Sequence, residues 1–273
     1  MKNSILYIVP TPIGNLEDIT LRAIKVLKSV SIIGAEDTRN SGKLLKKFKI
    51  KTPMFSYHKF NERSRVEKIL DKLKNGEDVA IISDAGTPGI SDPASIIIKA
   101  AIEINIKVET LPGATAFIPA LVSSGLVSER FYFAGFLPEK KSEKNNLLKE
   151  LKNIKDTIIF YEAPHRLIKF LSGLKKVFGN RKIVIARELS KLYETYYRIT
   201  IDEVLTNPDM IILKGEFVII VEGAQEKEYS NAELLEMLQA ELGKGKSKKD
   251  IIKKVMEKTS VSKNRIYYLA LKL

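Results

Sequence analysis

Short β-branched runs alternate with amphipathic stretches through the first half of the chain. ILYIV (5–9), SIIGA (31–35), MFSY (54–57), VAIIS (79–83) and VETL (108–111) read as strands. Between them Ile19, Ala23, Val26, Leu27 and Val30 recur at helical spacing on one face, and Val66, Ile69, Leu70 and Leu73 do so before Gly76 stops the turn. Strands separated by helices are the sequence form of a parallel sheet covered by helices. After FIPALVSSGL (117–126) the rhythm changes. RFYFAGF, TIIFYEA, KIVIARE, YYRITID and EFVIIVEG follow with fewer intervening helices, which predicts a mixed sheet beyond a boundary between Val122 and Ser128. From Asn231, NAELLEMLQAELGKG, SKKDIIKKVMEKTS and SKNRIYYLALKL read as three short helices, the last two meeting as in a helix-turn-helix. The expectation is an α/β protein: a parallel-sheet domain over 1–122, a mixed-sheet α/β domain over 123–226 and a small basic helical domain over 227–273.

A chain of 273 residues can bury a large core. It contains no cysteine, which removes disulfides, thiolate metal sites and cysteine nucleophiles and fits a reducing compartment. With two histidines, His58 and His165, a metal site would have to lean on carboxylates, and none is expected. The start, MKNSILYIVPTPIGN, has too short an apolar run for a signal peptide or a spanning helix, so a cytoplasmic protein without membrane attachment is expected. Forty-six Lys plus Arg against 33 Asp plus Glu give a net charge of +13, a balance that attracts polyanions. Lys244, Lys246, Lys248, Lys249, Lys253 and Lys254 cluster near the C-terminus, which favours nucleic acid over a lysine-rich solvated surface.

The stretch VAIISDAGTPGISDPA (79–94) carries the most chemistry. Ligands of open α/β sheets bind beyond the carboxyl ends of the strands, and this strand delivers Asp84 to that edge. Small residues at Ala85, Gly86 and Gly89 would let backbone amides approach a ligand, while Pro88 and Pro93 stiffen the loop. Asp92 before Pro93 reads as a helix cap. A phosphate-binding P-loop is absent, because Lys43 in NSGKLL lacks its upstream glycine and following Ser or Thr, and no GxGxxG follows the first strand. A nucleoside ligand without a phosphate tail, such as S-adenosylmethionine, remains compatible.

Seven ordered stretches together resemble a known family: PTPIGNLEDITLRA, EDTRNSGKLL, ISDAGTPGISDPA, LPGATA, FYEAPHRL, ARELSKLYE and KGEFVIIVEG. They are similar to those of the bacterial 16S ribosomal RNA cytidine 2′-O-methyltransferases of the tetrapyrrole methylase superfamily. The resemblance implies a two-domain fold with S-adenosylmethionine in the cleft between domains, a homodimer, and a small-subunit RNA substrate methylated at cytidine 1402 of the decoding region. By position it places cofactor contacts on Pro12, Asp84, Ala85, Gly86, Ile90, Thr115 and Ala116, on Tyr161, Glu162 and Ala163, and on Glu222 and Gly223. Two other readings stand beside it: a methylase of a tetrapyrrole precursor, and a non-catalytic RNA-binding assembly factor.

Methyl transfer from a sulfonium needs no metal; it needs alignment, exclusion of water and a base. Glu36, Asp37, Glu162, His165 and Glu188 are candidate bases, and the residues leave that choice open; His165 could equally line the helix that follows it. Arg39, Arg166, Lys244, Lys246, Lys248 and Lys249 are candidates for RNA phosphate contact, and Tyr57, Phe60, Tyr193, Tyr196 and Tyr197 for base stacking.

Overall fold

The computed structural model describes residues 4–225, 229–242, 247–259, 261–271 and 273. The chain divides between Gly223 and Ala224 into two compact units, and both β-sheets belong to the first.

The first sheet is built from β1 (Ile5–Ile8), β2 (Ile32–Ala35), β3 (Met54–Ser56), β4 (Val79–Ile82) and β5 (Lys107–Thr110). Their order is β3-β2-β4-β1-β5 and every pairing is parallel. The period-two alternation of a strand splits β4 between two cores. Ala80 and Ile82 join the layer under α1 (Leu21–Ser29) and α2 (Thr38–Lys47), whereas Val79 and Ile81 join that under α3 (Glu62–Lys74) and α4 (Ser95–Glu103). Covered on both faces, all four residues of β4 are buried, as a central parallel strand requires. Thr20 starts α1 by accepting the Ala23 N–H on its hydroxyl at 3.0 Å.

After α5 (Phe117–Val122) come β6 (Phe131–Phe136), α6 (Lys141–Leu151), β7 (Thr157–Glu162), α7 (Leu167–Phe178), β8 (Lys182–Arg187), β9 (Thr195–Thr200), α8 (Ile201–Thr206) and β10 (Phe217–Val221). The second sheet runs β6-β7-β10-β8-β9. β6 and β7 are parallel, and the other three pairings are antiparallel. The sheet is therefore mixed, as the loss of helical rhythm after Leu126 predicts. One face packs on α6, α7 and α8, the other on α5. In α7, Leu167, Phe170, Leu171, Leu174 and Phe178 form one apolar stripe, and burial of each contributes roughly 1.5–3 kcal/mol before entropy is counted. Phe170 meets Phe160 of β7 edge-on, ring centroids 5.3 Å apart.

The second unit holds α9 (Asn231–Leu242), α10 (Lys248–Thr259) and α11 (Lys263–Ala270) around a core that includes Leu234, Leu238, Ile251, Val255 and Ile266. Arg265 donates to the Tyr229 carbonyl at 2.7 Å and to Asn231 Oδ1 at 2.9 Å, tying α11 to the start of α9. Lys254 lies 2.7 Å from the buried Glu241, so this lysine of the basic cluster holds helices together. Lys248 and Lys249 are exposed at the start of α10, while Lys244 and Lys246 lie outside the described residues. Among the described residues no helix is long and apolar enough to cross a membrane.

Candidate active site

A cavity of about 380 Å³ opens in the first unit where loops of the two sheets face one another. That volume falls within the range of small-molecule sites, roughly 300–1,000 Å³. From the first sheet come Ile13 beyond β1, the segment from Ala85 to Asp92 beyond β4, and Thr115 to Phe117 beyond β5. These are carboxyl-end loops, as a parallel sheet dictates. The second sheet contributes Phe136 and the segment from Tyr161 to Pro164 at the ends of β6 and β7, Leu189 after β8, and Gly215 to Val218.

The loop after β4 is held from two sides. Thr11 and Gly86 exchange both backbone hydrogen bonds, each 2.9 Å, and Thr87 Oγ1 donates to the Ala114 carbonyl at 3.0 Å. The Gly86 amide therefore serves the scaffold, and the glycine is needed because its φ is +79°. Its bare backbone still faces the cavity. Pro12, buried behind this bridge, sets the turn that carries Ile13 to the cavity. The Asp84 carboxylate stands just outside, accepting the Asp37 N–H at 3.0 Å and the Asn40 side-chain amide at 3.2 Å.

Of the residues expected to touch a cofactor, the structure brings Ala85, Gly86, Ile90, Thr115, Ala116, Tyr161, Glu162 and Ala163 to one cavity. Glu222 and Gly223 are elsewhere. β10 runs antiparallel to β7 with Phe217 opposite Glu162, so its amino end meets the cavity and its carboxyl end points away. The Glu222 amide donates to the Lys182 carbonyl at 3.0 Å. A Cβ on Gly223 would stand 1.9 Å from the Lys155 carbonyl oxygen, and this close approach explains the glycine. The part of KGEFVIIVEG at the cavity is its beginning, and nothing in a strand's own sequence tells its direction.

The candidate bases fare differently. Glu162 is buried, accepts the Ala163 N–H at 2.9 Å and lies 3.3 Å from Arg166 Nε. Glu36 is half-buried and pushed above the usual carboxylate range by burial, and its Oε2 accepts the Asp84 N–H at 3.3 Å. The Asp37 carboxyl is lowered to about 2 by its hydrogen bonds with the Arg39 side chain and backbone, so it is a poor proton acceptor. Glu188 accepts the Glu216 N–H and pairs with Lys191, each at 3.0 Å. His165 sits exposed in the 3-10 turn after β7, outside the cavity lining.

Asp92 is the residue the sequence reading misplaced. α4 begins at Ser95 after Ala94, with no side-chain cap, so Asp92 is not a helix cap. It is half-buried in the cavity wall and raised to about 6, by burial first and then by the negative charges of Glu36 and Asp84. An Asp-Pro pair ahead of a helix imitates a cap in sequence; only the position of the first helical turn separates the two roles. Among the aromatics, Tyr57 is 1% exposed and belongs to the core under α3 and α4, while Phe60 and Tyr193 project into solvent. Tyr196 and Tyr197 are half-buried on opposite faces of β9.

Residues 5–205 match the family model of tetrapyrrole (corrin/porphyrin) methylases. The chain is 46% identical to the ribosomal RNA small subunit methyltransferase I of Bacillus subtilis, with 96% of this chain and 92% of that protein aligned. It is 43% identical to the protein of that name in Synechocystis, with 98% of each aligned. Among solved structures, the methyltransferase CobJ superposes with a TM-score of 0.63 at 17% identity, covering 84% of this chain and 97% of that one. A Thermus thermophilus uroporphyrin-III C-methyltransferase complexed with S-adenosyl homocysteine gives 0.55 at 15% identity, covering 80% and 91%. At such identities these two likenesses show the fold alone.

Proposed function

Because the chain belongs to the tetrapyrrole methylase family, and within it to the ribosomal RNA small subunit methyltransferases I, we propose that it methylates small-subunit ribosomal RNA, transferring the methyl of S-adenosylmethionine to a cytidine ribose 2′ hydroxyl. The observation that carries the cofactor reading is the cavity's lining. In a protein of net charge +13, no lysine or arginine among the described residues lines it. A polyphosphate ligand would lack its counter-charges there. Apolar and aromatic walls with one uncompensated carboxylate, Asp92, suit a neutral base joined to a cationic centre.

Ala85, Gly86 and Ile90 would hold the cofactor from one wall, Thr115 and Ala116 from a second, and Tyr161, Glu162 and Ala163 from a third, with Pro12 and Asp84 fixing the loops behind them. When bound, S-adenosylmethionine supplies an electrophilic methyl group and a neutral leaving group. The chain's own part is to position the ribose hydroxyl, exclude water and accept a proton. Arg39 and Arg166 beside the cavity, Lys248 and Lys249 on α10, and Lys244 and Lys246 would meet RNA phosphates. A cytoplasmic homodimer completes the reading.

Calorimetric titration with S-adenosylmethionine, followed by labelled-methyl transfer to small-subunit RNA and to the assembled subunit, tests this. Binding and a 2′-O-methylcytidine at position 1402, read by nuclease digestion and mass spectrometry, are the expected results. A methylated base, or transfer to a porphyrinoid and not to RNA, would overturn the substrate assignment. Absence of cofactor binding would leave an RNA-binding assembly factor.

A further inference from the structure

The carboxyl edge of the first sheet continues past the cavity. β3, β2 and β4 are parallel neighbours, so the loops that follow β2 and β3 stand beside the loop after β4. Glu36, next after β2, accepts the Asp84 N–H at 3.3 Å and interacts electrostatically with His58 of the loop after β3. That loop is pinned. Asn61 Oδ1 accepts the His58 N–H at 2.8 Å, the Asn61 side-chain amide donates to the Ser56 carbonyl at 3.1 Å, and the His58 carbonyl accepts the N–H groups of Asn61 and Glu62, each at 2.9 Å. The turn so fixed holds Phe60 95% exposed. Among the described residues its one ring neighbour is His58, edge-on with centroids 6.0 Å apart, and the faces of the phenyl are left to solvent. A lone exposed hydrophobe needs no explanation, but this one stands among cations. Lys59 and Arg63 are exposed and have no carboxylate partner among the described residues, and Arg39 and Lys43 are exposed on the neighbouring α2. Glu62, the acid of this stretch, buries a carboxylate oxygen.

We propose that Phe60 stacks on an unpaired RNA base next to the nucleotide being methylated, with Lys59, Arg63 and Arg39 on the flanking phosphates, a role that rests on reading the cavity as the site of RNA methylation. β3 lies two strands from β4, roughly 10 Å away. A neighbouring nucleotide bridges that span when the target stands in the cavity. Phosphate attraction by itself fixes no register, whereas an aromatic face set in a basic surface grips a splayed-out base and holds the strand in place. Because the turn is already pinned, little ordering is left to oppose the contact. Charge argues against a second copy of this chain as the occupant: it would bring another surface of net charge +13 to a patch that is itself cationic.

The test compares full-length wild type with Phe60→Ala, Phe60→Leu and Phe60→Tyr. Filter binding measures affinity for small-subunit RNA, calorimetry measures affinity for S-adenosylmethionine, steady-state transfer separates KM from kcat, and sedimentation reads the oligomeric state. A decoding-region oligonucleotide with 2-aminopurine on either side of the target reports stacking by its fluorescence. Phe60→Ala and Phe60→Leu should weaken RNA binding about 5- to 100-fold and raise KM for RNA by a similar factor, with kcat and cofactor affinity within about twofold of wild type. Phe60→Tyr keeps the ring and should behave as wild type. Quenching of the 2-aminopurine at saturation should be seen with wild type and Phe60→Tyr and be lost with Phe60→Leu. Wild-type RNA affinity in Phe60→Leu would overturn stacking in favour of a plain apolar contact, and wild-type affinity in Phe60→Ala would remove Phe60 from the RNA site; both results leave the functional reading intact. A changed sedimentation coefficient in Phe60→Ala with unchanged RNA affinity would overturn the proposal and assign the ring to a second copy of the chain. If wild type neither binds nor methylates small-subunit RNA, the functional reading falls and takes the stacking role with it.

Discussion

The two sheets supply one cavity by different rules. In the first sheet every strand is parallel, so each cavity residue lies beyond a carboxyl end and chain order alone gives its place. In the second, β6, β7 and β8 bring their carboxyl ends to the cavity whereas β10 brings its amino end, because it is antiparallel to both of its neighbours. Parallel topology thus makes a site legible from strand order. A mixed sheet hides half of it behind pairing.

Two glycines break the comparison most directly. Gly223→Val, at the end of β10 remote from the cavity, should have the largest effect, since its Cβ would overlap the Lys155 carbonyl. A loss of about 3 kcal/mol is expected from urea unfolding, with calorimetry giving unchanged cofactor affinity for the folded protein. Gly86→Ala in the first sheet's loop should do the reverse. The nearest atom to its added Cβ, Ile13 Cγ2, is 3.6 Å away, so the cost is that of a positive φ, about 1–2 kcal/mol. Cofactor affinity should nevertheless fall several-fold on titration, because Gly86 is cavity wall. Equal affinity losses in the two variants would contradict the placement of β10.

Asp92→Asn sharpens the comparison through pH. The Asp92 carboxyl titrates near 3.8 when unfolded and is raised to about 6 in the folded protein, so folding favours its protonated form. Its contribution is most favourable below pH 4, is lost as pH rises through 6, and is a constant penalty above that. Thermal melts should therefore show Asp92→Asn more stable than wild type by about 1 kcal/mol at pH 8, a figure reduced for the group's access to water, with the gap closing below pH 4. The smallest structural effect belongs to the tail. Lys248→Ala with Lys249→Ala should change stability by less than about 0.5 kcal/mol, yet lower the salt dependence of RNA binding by about one to two counterions in filter assays over a salt series. An unchanged slope would make the pair a solvated helix face.

Much of this protein was readable before its structure. Alternating β-branched runs and helical stripes announced the parallel sheet, and loss of that rhythm announced the mixed one, because side-chain period follows from backbone geometry. The Asp84 loop was legible for the same reason: a buried strand that ends in Asp, Gly and Pro must open at a sheet edge. Tertiary structure decided what local pattern cannot carry. The direction of β10 depends on which strand it joins, and so moved the cavity residues from Glu222 and Gly223 to Gly215–Val218. The burial of Tyr57 depends on helices remote in sequence, and the basic tail divides because Lys254 meets Glu241 while Lys248 and Lys249 face water. Asp92 is the clearest case. Its sequence neighbour Pro93 suggests a cap, but its chemistry is set by burial in the cavity wall and by Glu36, brought near it from the end of β2, since charge and desolvation act through space and not along the chain.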